Sequence, residues 1–311
     1  MKQMFLMFLV AAAAACAQDL TVLPVQGNVY LINGAGGNIA VQIGPMGVVV
    51  VDTGTAQDAD RVVAAIRKLS DKPIQYIINT EMQPEHTGGN VVLRKAGVTI
   101  TGANVAGNLT DAGVGAQIIA HENVLNRMSA PTGKVAVAPE AAWPTETFVS
   151  GQKEIFFNDE PVEVKFQPKA HTDGDSIVMF RHSDVIVTGD VFTTTGYPVI
   201  DLERGGSIQG ELDALNNILD LAVPKHDEEG GTYIIPGHGR VCDEFDVLEY
   251  RDMVTIVRDR VQAWIKKGMT LDQIKAAHLT KDYDARYAAK GGAGTSDAFV
   301  ESVYKSLMAK K

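Results

Sequence analysis

Residues 80–90 read Thr80-Glu81-Met82-Gln83-Pro84-Glu85-His86-Thr87-Gly88-Gly89-Asn90, directly after an apolar run, Tyr76-Ile77-Ile78-Asn79, that is typical of a buried strand. Because Glu81 and Gln83 are two positions apart, their side chains leave an extended segment on the same side. Pro84 ends the strand, so that Glu85 and His86 can turn back toward the same point. Oxygen and nitrogen ligands at the end of a strand indicate a metal site, although a solvated polar loop has a similar composition.

The composition of the chain limits its size class and its partners. With 311 residues it is long enough for one large domain with appendages or for two small domains. The formal net charge is −10 and the sequence has no basic run, whereas nucleic-acid binding requires a positively charged surface. The sequence therefore argues against a nucleic-acid partner and favours a small-molecule substrate, and it leaves the oligomeric state open.

Residues 1–17 have the pattern of a signal peptide. Lys2 gives a short positive start, an apolar run follows, and Ala15-Cys16-Ala17 fits the small-residue cleavage rule. The run is too short to span a membrane, so we predict a periplasmic or secreted protein without a transmembrane segment. Lipid attachment at Cys16 is the alternative form of export. Cleavage after residue 17 leaves Cys242 as the remaining cysteine, which excludes an intrachain disulfide.

The spacing of apolar residues predicts alternating strands and helices over the rest of the chain. In the first half we predict strands at 21–25, 29–33, 38–43, 48–51, 76–79 and 98–100. We predict helices there at 57–69, 90–96 and 117–128, followed by an irregular proline-containing stretch between 131 and 144. In the second half we predict strands at 154–157, 162–166, 176–180, 185–187 and 232–235, and helices at 208–222, 246–267 and 296–308.

Three further groups of polar residues stand at the ends of predicted strands. They are Ala170-His171-Thr172-Asp173-Gly174-Asp175-Ser176, Thr188-Gly189-Asp190 and Pro236-Gly237-His238-Gly239. Because α/β folds place their sites at the carboxyl ends of strands, we expect these groups to meet the segment 80–90.

The order of these segments resembles that of the metallo-β-lactamase superfamily. That family carries His-x-His-x-Asp-His-x-Gly-Gly after a strand, then a Gly-His-Thr-like element, Thr-Gly-Asp and Pro-Gly-His-Gly. The matching segments here are Val51-Asp52-Thr53-Gly54, Thr87-Gly88-Gly89-Asn90, His171-Thr172, Thr188-Gly189-Asp190 and Pro236-Gly237-His238-Gly239. Any one match would be weak, but together they are specific.

The resemblance covers roughly residues 26 to 240 and implies an α/β fold. The implied architecture is an αββα sandwich, a four-layer arrangement with two β-sheets inside and helices outside. We therefore divide the chain into the signal peptide 1–17, a metallo-β-lactamase-like domain 18–245, and a C-terminal helical extension 246–311 packed on the same domain.

The chain departs from the family pattern at the centre of the motif. Where the family has His, His, Asp and His, this chain has Glu81, Gln83, Glu85 and His86. The resemblance implies that one metal ion contacts Glu81, Gln83 and His171, that another contacts Glu85, His86 and His238, and that Asp190 bridges the two. We expect the second of these sites to bind metal better, because a carboxamide is a poor ligand. The implied cofactor is one or two divalent ions, with zinc as the leading candidate and iron or manganese as alternatives.

These features predict a metal-dependent hydrolase. A metal-activated water would attack a carbonyl, lactam, lactone or ester substrate, and Glu85 and Asp190 would orient that water and exchange its proton. Two alternatives remain open from the sequence. Glu81, His171 and Asp190 could bind a single iron in an oxidoreductase, or the chain could be a non-catalytic metal-binding protein.

Several polar residues have a plainer alternative role. Gln83 could brace the loop through a hydrogen bond instead of binding metal. Tyr197 could contact substrate over the site, or it could be a packed loop tyrosine. The remaining histidines are predicted on surface helices or turns without metal partners; they are His121, His182, His226 and His278.

Overall fold

Two β-sheets form the centre of the protein. The computed structural model describes residues 19–99, 115–130, 136–149, 151–226 and 230–309. Within that part of the chain, the first sheet has seven strands in sequence order: β1 (Thr21–Gln26), β2 (Val29–Ala35), β3 (Gly37–Gly44), β4 (Gly47–Val51), β5 (Ile74–Ile78), β6 (Gln117–His121) and β7 (Glu146–Phe148). Strands β1 to β4 pair antiparallel, and β4 to β7 pair parallel. The carboxyl ends of β4, β5 and β6 therefore lie at the same edge.

The second sheet has five strands among the described residues. They are β8 (Gln152–Phe157), β9 (Glu160–Phe166), β10 (Ser176–Phe180), β11 (Val185–Val187) and β12 (Tyr233–Ile235), in the order β12-β11-β10-β9-β8. Neighbouring strands are antiparallel except β11 and β12, which are parallel. Because β11 and β12 run in the same direction, the residues that follow them, Asp190 and His238, leave the sheet at the same edge.

Helices cover the outer faces of both sheets. They are α1 (Ala59–Leu69), α2 (Pro84–Thr87), α3 (Asn90–Ala96), α4 (Glu122–Ser129), α5 (Ile208–Leu221), α6 (Glu244–Lys266), α7 (Leu271–Ala276), α8 (Asp284–Tyr287) and α9 (Ser296–Met308). Helix α1 packs against α3, and α6 packs against both α5 and α9. Thr270 caps α7 with a reciprocal hydrogen-bond pair to Gln273.

The valine run of β4 shows how the layers arise. Val49 and Val51 lie in the core between the two sheets, whereas Val48 and Val50 lie in the core between the first sheet and helices α1 and α3. Side chains of a strand alternate between its faces, so a run of apolar residues fits a strand that is covered on both sides. A third core joins the second sheet to α5, α6 and α9. The predicted αββα sandwich is therefore confirmed.

The C-terminal helices share this third core. Val254 and Val257 of α6 and Phe299 and Val303 of α9 are buried in the same cluster as Ile186 of the second sheet. The apolar stripe that predicted these helices thus faces the sandwich. Residue 245 as the boundary of the extension stays a prediction.

The prediction of a helix over 117–128 was wrong in its first part. Residues Gln117–His121 form strand β6, which pairs with β5 and β7, and the helix begins only at Glu122. A short apolar run fits a buried strand as well as a buried helix, and here pairing with two neighbouring strands decides. His121 is consequently buried, with its ring stacked on Phe166 at a centroid distance of 3.7 Å, so its predicted surface position was also wrong.

Some predicted features lie outside the described residues. They are the signal peptide 1–17 with Cys16, the last residue of the strand 98–100, and part of the irregular stretch 131–144. Among the helices of the described part of the chain, none combines the length and the apolar character needed to cross a membrane.

Candidate metal centre

Residues from four segments of the chain meet at one edge of the sandwich. Asp52 follows β4, His86 lies on the short helix α2 after β5, Asp190 follows β11, and His238 follows β12. Pro84 begins α2 and does not simply end a strand, because its fixed backbone angle suits the first turn of a helix. The strand ends thus bring distant side chains together on a rigid support.

Three of these side chains form a compact group of ligand atoms. His86 Nε2 lies 3.2 Å from Asp190 Oδ1, and His238 Nε2 lies 3.3 Å from the same oxygen. Each of the three side chains offers one ligand atom, and these atoms all lie within 4.8 Å of one another. Among the described residues, no other group of three or more histidine, cysteine or acidic side chains meets this distance. Two imidazole nitrogens and a carboxylate oxygen are a donor set that suits zinc and also iron or manganese.

The hydrogen bonding of this group supports a cation site. His86 Nε2 and Asp190 Oδ1 are both buried, and although they lie 3.2 Å apart, neither makes a well-aligned hydrogen bond to the other or to any further group. Buried polar atoms without partners are costly and rare in folded proteins, and a metal ion is one way to satisfy them. The residues present therefore fit a divalent cation held by His86, Asp190 and His238.

Asp52 fixes the orientation of His86. Its Oδ2 lies 2.8 Å from His86 Nδ1, and the same carboxylate accepts hydrogen bonds from the backbone N–H and the hydroxyl of Thr80. In the neutral ring, a carboxylate opposite Nδ1 assigns the one ring proton to that nitrogen and leaves the lone pair on Nε2, the atom in the ligand group. Asp52 itself has a left-handed φ of 63°, an uncommon conformation for a residue other than glycine.

The electrostatics of the group favour positive charge beside Asp190. Burial alone would raise the pKa of Asp190, but His86 and His238 outweigh it and hold this pKa well below its usual range. Burial would lower the pKa of His86, but Asp190 and Asp52 raise it well above its usual value. A carboxylate that stays ionised in a buried position is suited to bind a cation.

The other predicted ligands are arranged differently. Glu81 is buried, and its two carboxylate oxygens accept hydrogen bonds from the backbone N–H groups of Met82 and Gln83 at 2.8 and 2.7 Å. Burial raises the pKa of Glu81 to about 8, although His86 and His171 oppose the shift. Segment 80–83 bends, so Glu81 and Gln83 do not project in parallel from an extended strand as the sequence led us to expect.

Gln83 and His171 contact each other directly. Gln83 Nε2 lies 2.6 Å from His171 Nε2, and His171 Nδ1 lies 2.6 Å from the carbonyl oxygen of Val199. A carbonyl oxygen only accepts, so Nδ1 carries the ring proton, and in the neutral ring Nε2 accepts a hydrogen bond from the Gln83 amide. The bracing role of Gln83 that the sequence left open is therefore the one this geometry supports.

A cavity of about 320 Å³ opens beside the three-residue group. Its wall includes Glu85, Asp190, His238 and Tyr197, and also Ala289 of the C-terminal extension. Glu85 lines this cavity but does not belong to the ligand group of His86, Asp190 and His238. The sequence had predicted Glu85 as a ligand of the same ion as His86 and His238. The metal-ligand roles of Glu81, Gln83, Glu85 and His171 stay predictions.

The hydroxyl of Tyr197 forms hydrogen bonds with residues outside the ligand group. It donates to the carbonyl oxygen of Thr280 at 3.2 Å or to Asp284 Oδ1 at 2.9 Å, and the ring stacks on Phe299. Tyr197 is fully buried, so any contact with substrate is confined to the part of the residue that lines the cavity. Its predicted role in substrate binding remains a prediction.

Two buried acids near the site, Asp52 and Glu211, were not predicted as site residues. Asp52 was recognised only as the end of a matching strand, although an acid directly after four valines signals a buried polar group at a strand end. Glu211 of α5 is fully buried, both of its carboxylate oxygens lack partners, and nothing in its helical surroundings marks it in the sequence.

Comparison with protein families agrees with the fold. Because a fold does not by itself define a function, both the αββα sandwich and the histidine and aspartate cluster at its edge bear on the family comparison. The family model described as the metallo-beta-lactamase superfamily matches residues 22–238. This match covers more than half of the chain, and the chain therefore belongs to the metallo-beta-lactamase superfamily.

The individual proteins that the chain resembles share only a small part of its sequence. The chain is 26% identical over 260 residues to a linear primary-alkylsulfatase from Pseudomonas sp. (strain ATCC 19151), covering 74% of this chain and 47% of the relative. It is similar to the structure of a double mutant of the sec-alkyl sulfatase PisA1, with a TM-score of 0.67, 15% identity, and coverage of 94% of this chain and 51% of that one. The DIM-1 metallo-beta-lactamase gives a TM-score of 0.55 at 16% identity, covering 76% of this chain and 97% of that one. The chain thus spans about half the length of the alkylsulfatases that it matches.

Proposed function

We propose that the protein is a metal-dependent hydrolase whose cation is held by His86, Asp190 and His238. The observation that carries this proposal is the pair of buried atoms without hydrogen-bond partners, His86 Nε2 and Asp190 Oδ1, at 3.2 Å from each other. A bound divalent cation supplies a Lewis acid and makes water nucleophilic at neutral pH. Membership of the superfamily and the donor set support the same class of chemistry.

The residues around the cation have separate tasks in this proposal. Asp52 holds the ring of His86 in the tautomer that presents Nε2. Glu85 lines the cavity and has a carboxylate that can accept a proton from the attacking water. The hydroxyls of Thr193 and Thr195 lie 3.0 Å apart on the cavity wall, where they can bind polar atoms of a substrate.

The cavity wall favours an uncharged ester or lactone as substrate. Of the described residues that line it, none is a lysine or arginine, whereas Glu85 and Asp190 contribute carboxylates. An anionic substrate would meet these carboxylates without a side-chain counter-ion. Small neutral residues such as Ala289 and Ala293 also line the cavity and leave room for an acyl or alkyl group.

A sulfate ester of an alkyl chain is the second candidate substrate. It is favoured by the likeness to a linear primary-alkylsulfatase and to PisA1, described as a sec-alkyl sulfatase. The cation itself would then supply the positive charge that the wall lacks. Because this chain matches only about half of each relative, the substrate of those proteins comes to this chain only as a proposal.

A substrate panel with the full chain tests both candidates. The zinc-, iron- and manganese-loaded proteins are assayed before and after chelation with 4-nitrophenyl acetate, a lactone, a chromogenic lactam and dodecyl sulfate, whose hydrolysis is followed by the release of inorganic sulfate. We expect chelator-sensitive hydrolysis, and a decrease of about 100-fold or more in rate for His238→Ala, since loss even of a residue that only orients a metal ligand costs about 10- to 100-fold. Asp213→Asn, an exposed carboxylate change on α5, is the matched control and should be unaffected.

The results also separate the alternatives left open by the sequence. Bound iron with oxygen consumption and no hydrolysis would support an oxidoreductase and contradict the hydrolase proposal. Metal binding without either reaction would support a non-catalytic protein. Export of the protein through residues 1–17 is a separate proposal, tested by locating the full chain in fractionated cells and sequencing its mature amino terminus.

A further inference from the structure

We infer that the protein holds one cation and not two, and that hydrogen bonds among Glu81, Gln83 and His171 stand in place of a second cation. The inference deepens the proposed function and rests on it, because it takes His86, Asp190 and His238 as the ligands of the single ion. It concerns how this chain differs from the two-metal arrangement that its motif order implies.

Both oxygens of the Glu81 carboxylate accept hydrogen bonds from backbone N–H groups. Oε1 accepts from the N–H of Gln83 and Oε2 accepts from the N–H of Met82, so each oxygen has a donor within 2.8 Å. The side chain is 1% exposed, so these two backbone N–H groups and not solvent satisfy its oxygens. These bonds shape the bend that leads into α2, and a metal ion would have to displace or share them.

Both ring nitrogens of His171 also have hydrogen-bond partners. Nδ1 faces the Val199 carbonyl oxygen and Nε2 faces the Gln83 amide, each at 2.6 Å. The nitrogen that would bind a cation is therefore the one that Gln83 covers. In the neutral ring an imidazole has a single lone pair in its plane, which cannot serve an amide donor and a metal ion at once.

The group of His86, Asp190 and His238 differs from Glu81 and His171 in its hydrogen bonding, and this difference favours one ion over two. There, the buried atoms His86 Nε2 and Asp190 Oδ1 have no hydrogen-bond partner. In the described chain, the ligand atoms that all lie within 4.8 Å of one another belong to His86, Asp190 and His238. Glu81 and His171 are not in this group, although Glu81 Oε1 lies 3.7 Å from His86 Nε2. Neutral Gln83 also brings no charge with which to attract a second divalent ion.

Metal stoichiometry of the full chain tests the inference. The protein is stripped with a chelator, equilibrated with excess zinc, freed of loosely bound ions and measured by elemental analysis and titration calorimetry. We expect one zinc per chain in the wild type and in His171→Ala, and a loss of at least tenfold in zinc affinity in His238→Ala. The matched control is His121→Ala, which removes another buried histidine, one that stacks on Phe166 and does not belong to the ligand group.

A second variant asks whether the side chains themselves exclude the second ion. Glu81→His combined with Gln83→His restores the family pattern at these two positions, and we expect it to bind two zinc ions per chain. If this variant folds, as judged by circular dichroism, and still binds one ion, then the substitution of these side chains is not the cause and the inference is overturned.

A measurement on the wild type does not depend on any variant. The ring nitrogens of the histidines are followed by 15N nuclear magnetic resonance during zinc addition. We expect Nε2 of His86 and His238 to shift and Nε2 of His171 to stay within a few parts per million of its starting value. Two zinc ions per chain with a shifted His171 would overturn the inference but leave the proposed function intact, whereas no bound zinc, iron or manganese would overturn both.

Discussion

The Nδ1 atom of His86 lies 2.8 Å from Oδ2 of Asp52, a residue 34 positions earlier in the chain. This contact joins the end of β4 to helix α2 and sets which nitrogen of His86 faces Asp190. Asp52 is 1% exposed and also accepts two hydrogen bonds from Thr80, so its position is fixed independently of any metal. The geometry of the ligand group is therefore built into the sheet.

Replacing Asp52 should weaken metal binding without removing a ligand. In Asp52→Asn the side chain keeps its size but loses the charge that fixes the His86 tautomer, so we expect the zinc dissociation constant to rise by about 10- to 100-fold. Competition with a chromogenic chelator measures it. Asp213→Asn is the charge-matched control, and an unchanged dissociation constant in Asp52→Asn would show that His86 needs no orienting carboxylate.

Gly237 allows the Asp190 carboxylate to reach the ligand group. A Cβ at this position would lie 2.1 Å from Asp190 Oδ1 and 2.7 Å from the carbonyl oxygen of Gly189, closer than real contacts permit. Gly237→Ala should therefore displace Asp190 and reduce zinc affinity by about tenfold or more, by analogy with the loss of a residue that orients a ligand. Gly151→Ala, where a Cβ meets nothing within 4 Å, is the control. Equal zinc affinity in both variants would mean that Asp190 does not bind the ion.

Glu211 should make stability depend on pH. Burial, with Asp175 and Asp190 adding to it, raises the pKa of Glu211 well above its usual value, so the folded protein keeps this proton at a pH where the unfolded chain loses it. The free energy of unfolding should therefore fall as pH rises above the usual glutamate pKa, by at most about 1.4 kcal/mol per pH unit from this group.

Denaturant unfolding of Glu211→Gln between pH 5 and pH 8 tests this effect. The amide cannot ionise, so the stability of the variant relative to wild type should increase as pH rises. Glu203→Gln, at an exposed position, should leave the difference constant. A pH-independent difference for Glu211→Gln would show that the carboxyl titrates normally in the folded protein.

The hydroxyl of Tyr197 should contribute more to the stability of the folded protein than to substrate binding. Tyr197→Phe keeps the ring on Phe299 but removes the hydrogen bonds to Thr280 and Asp284, which should cost about 1 to 3 kcal/mol of unfolding free energy. KM for the best substrate should stay unchanged. Tyr304→Phe is the control in the same helical extension. A higher KM with unchanged stability would instead support the substrate contact predicted from sequence.

Much of the sandwich could be predicted from local sequence patterns. The strands 176–180 and 185–187 and the helices 90–96 and 296–308 were predicted with the bounds that the structure shows. These elements have clear apolar periodicity and end at turn or capping residues, so local signals agree with the final fold. Strand β6 was missed because its five residues, read alone, fit a helix equally well, and only pairing with β5 and β7 selects the strand.

The sequence by itself determined most of the strands and helices and the four segments that supply the site, because apolar spacing and turn residues act over short distances. The order of the layers followed only from the family resemblance. It could not determine which of the seven candidate ligands have atoms free to bind a cation. That depends on partners far away in the chain: Gln83 is paired with His171 across 88 positions, while His86 Nε2 and Asp190 Oδ1 are buried side by side without hydrogen bonds. Only the tertiary structure decides this, because a hydrogen bond needs atoms within about 3 Å and the sequence gives no such distances.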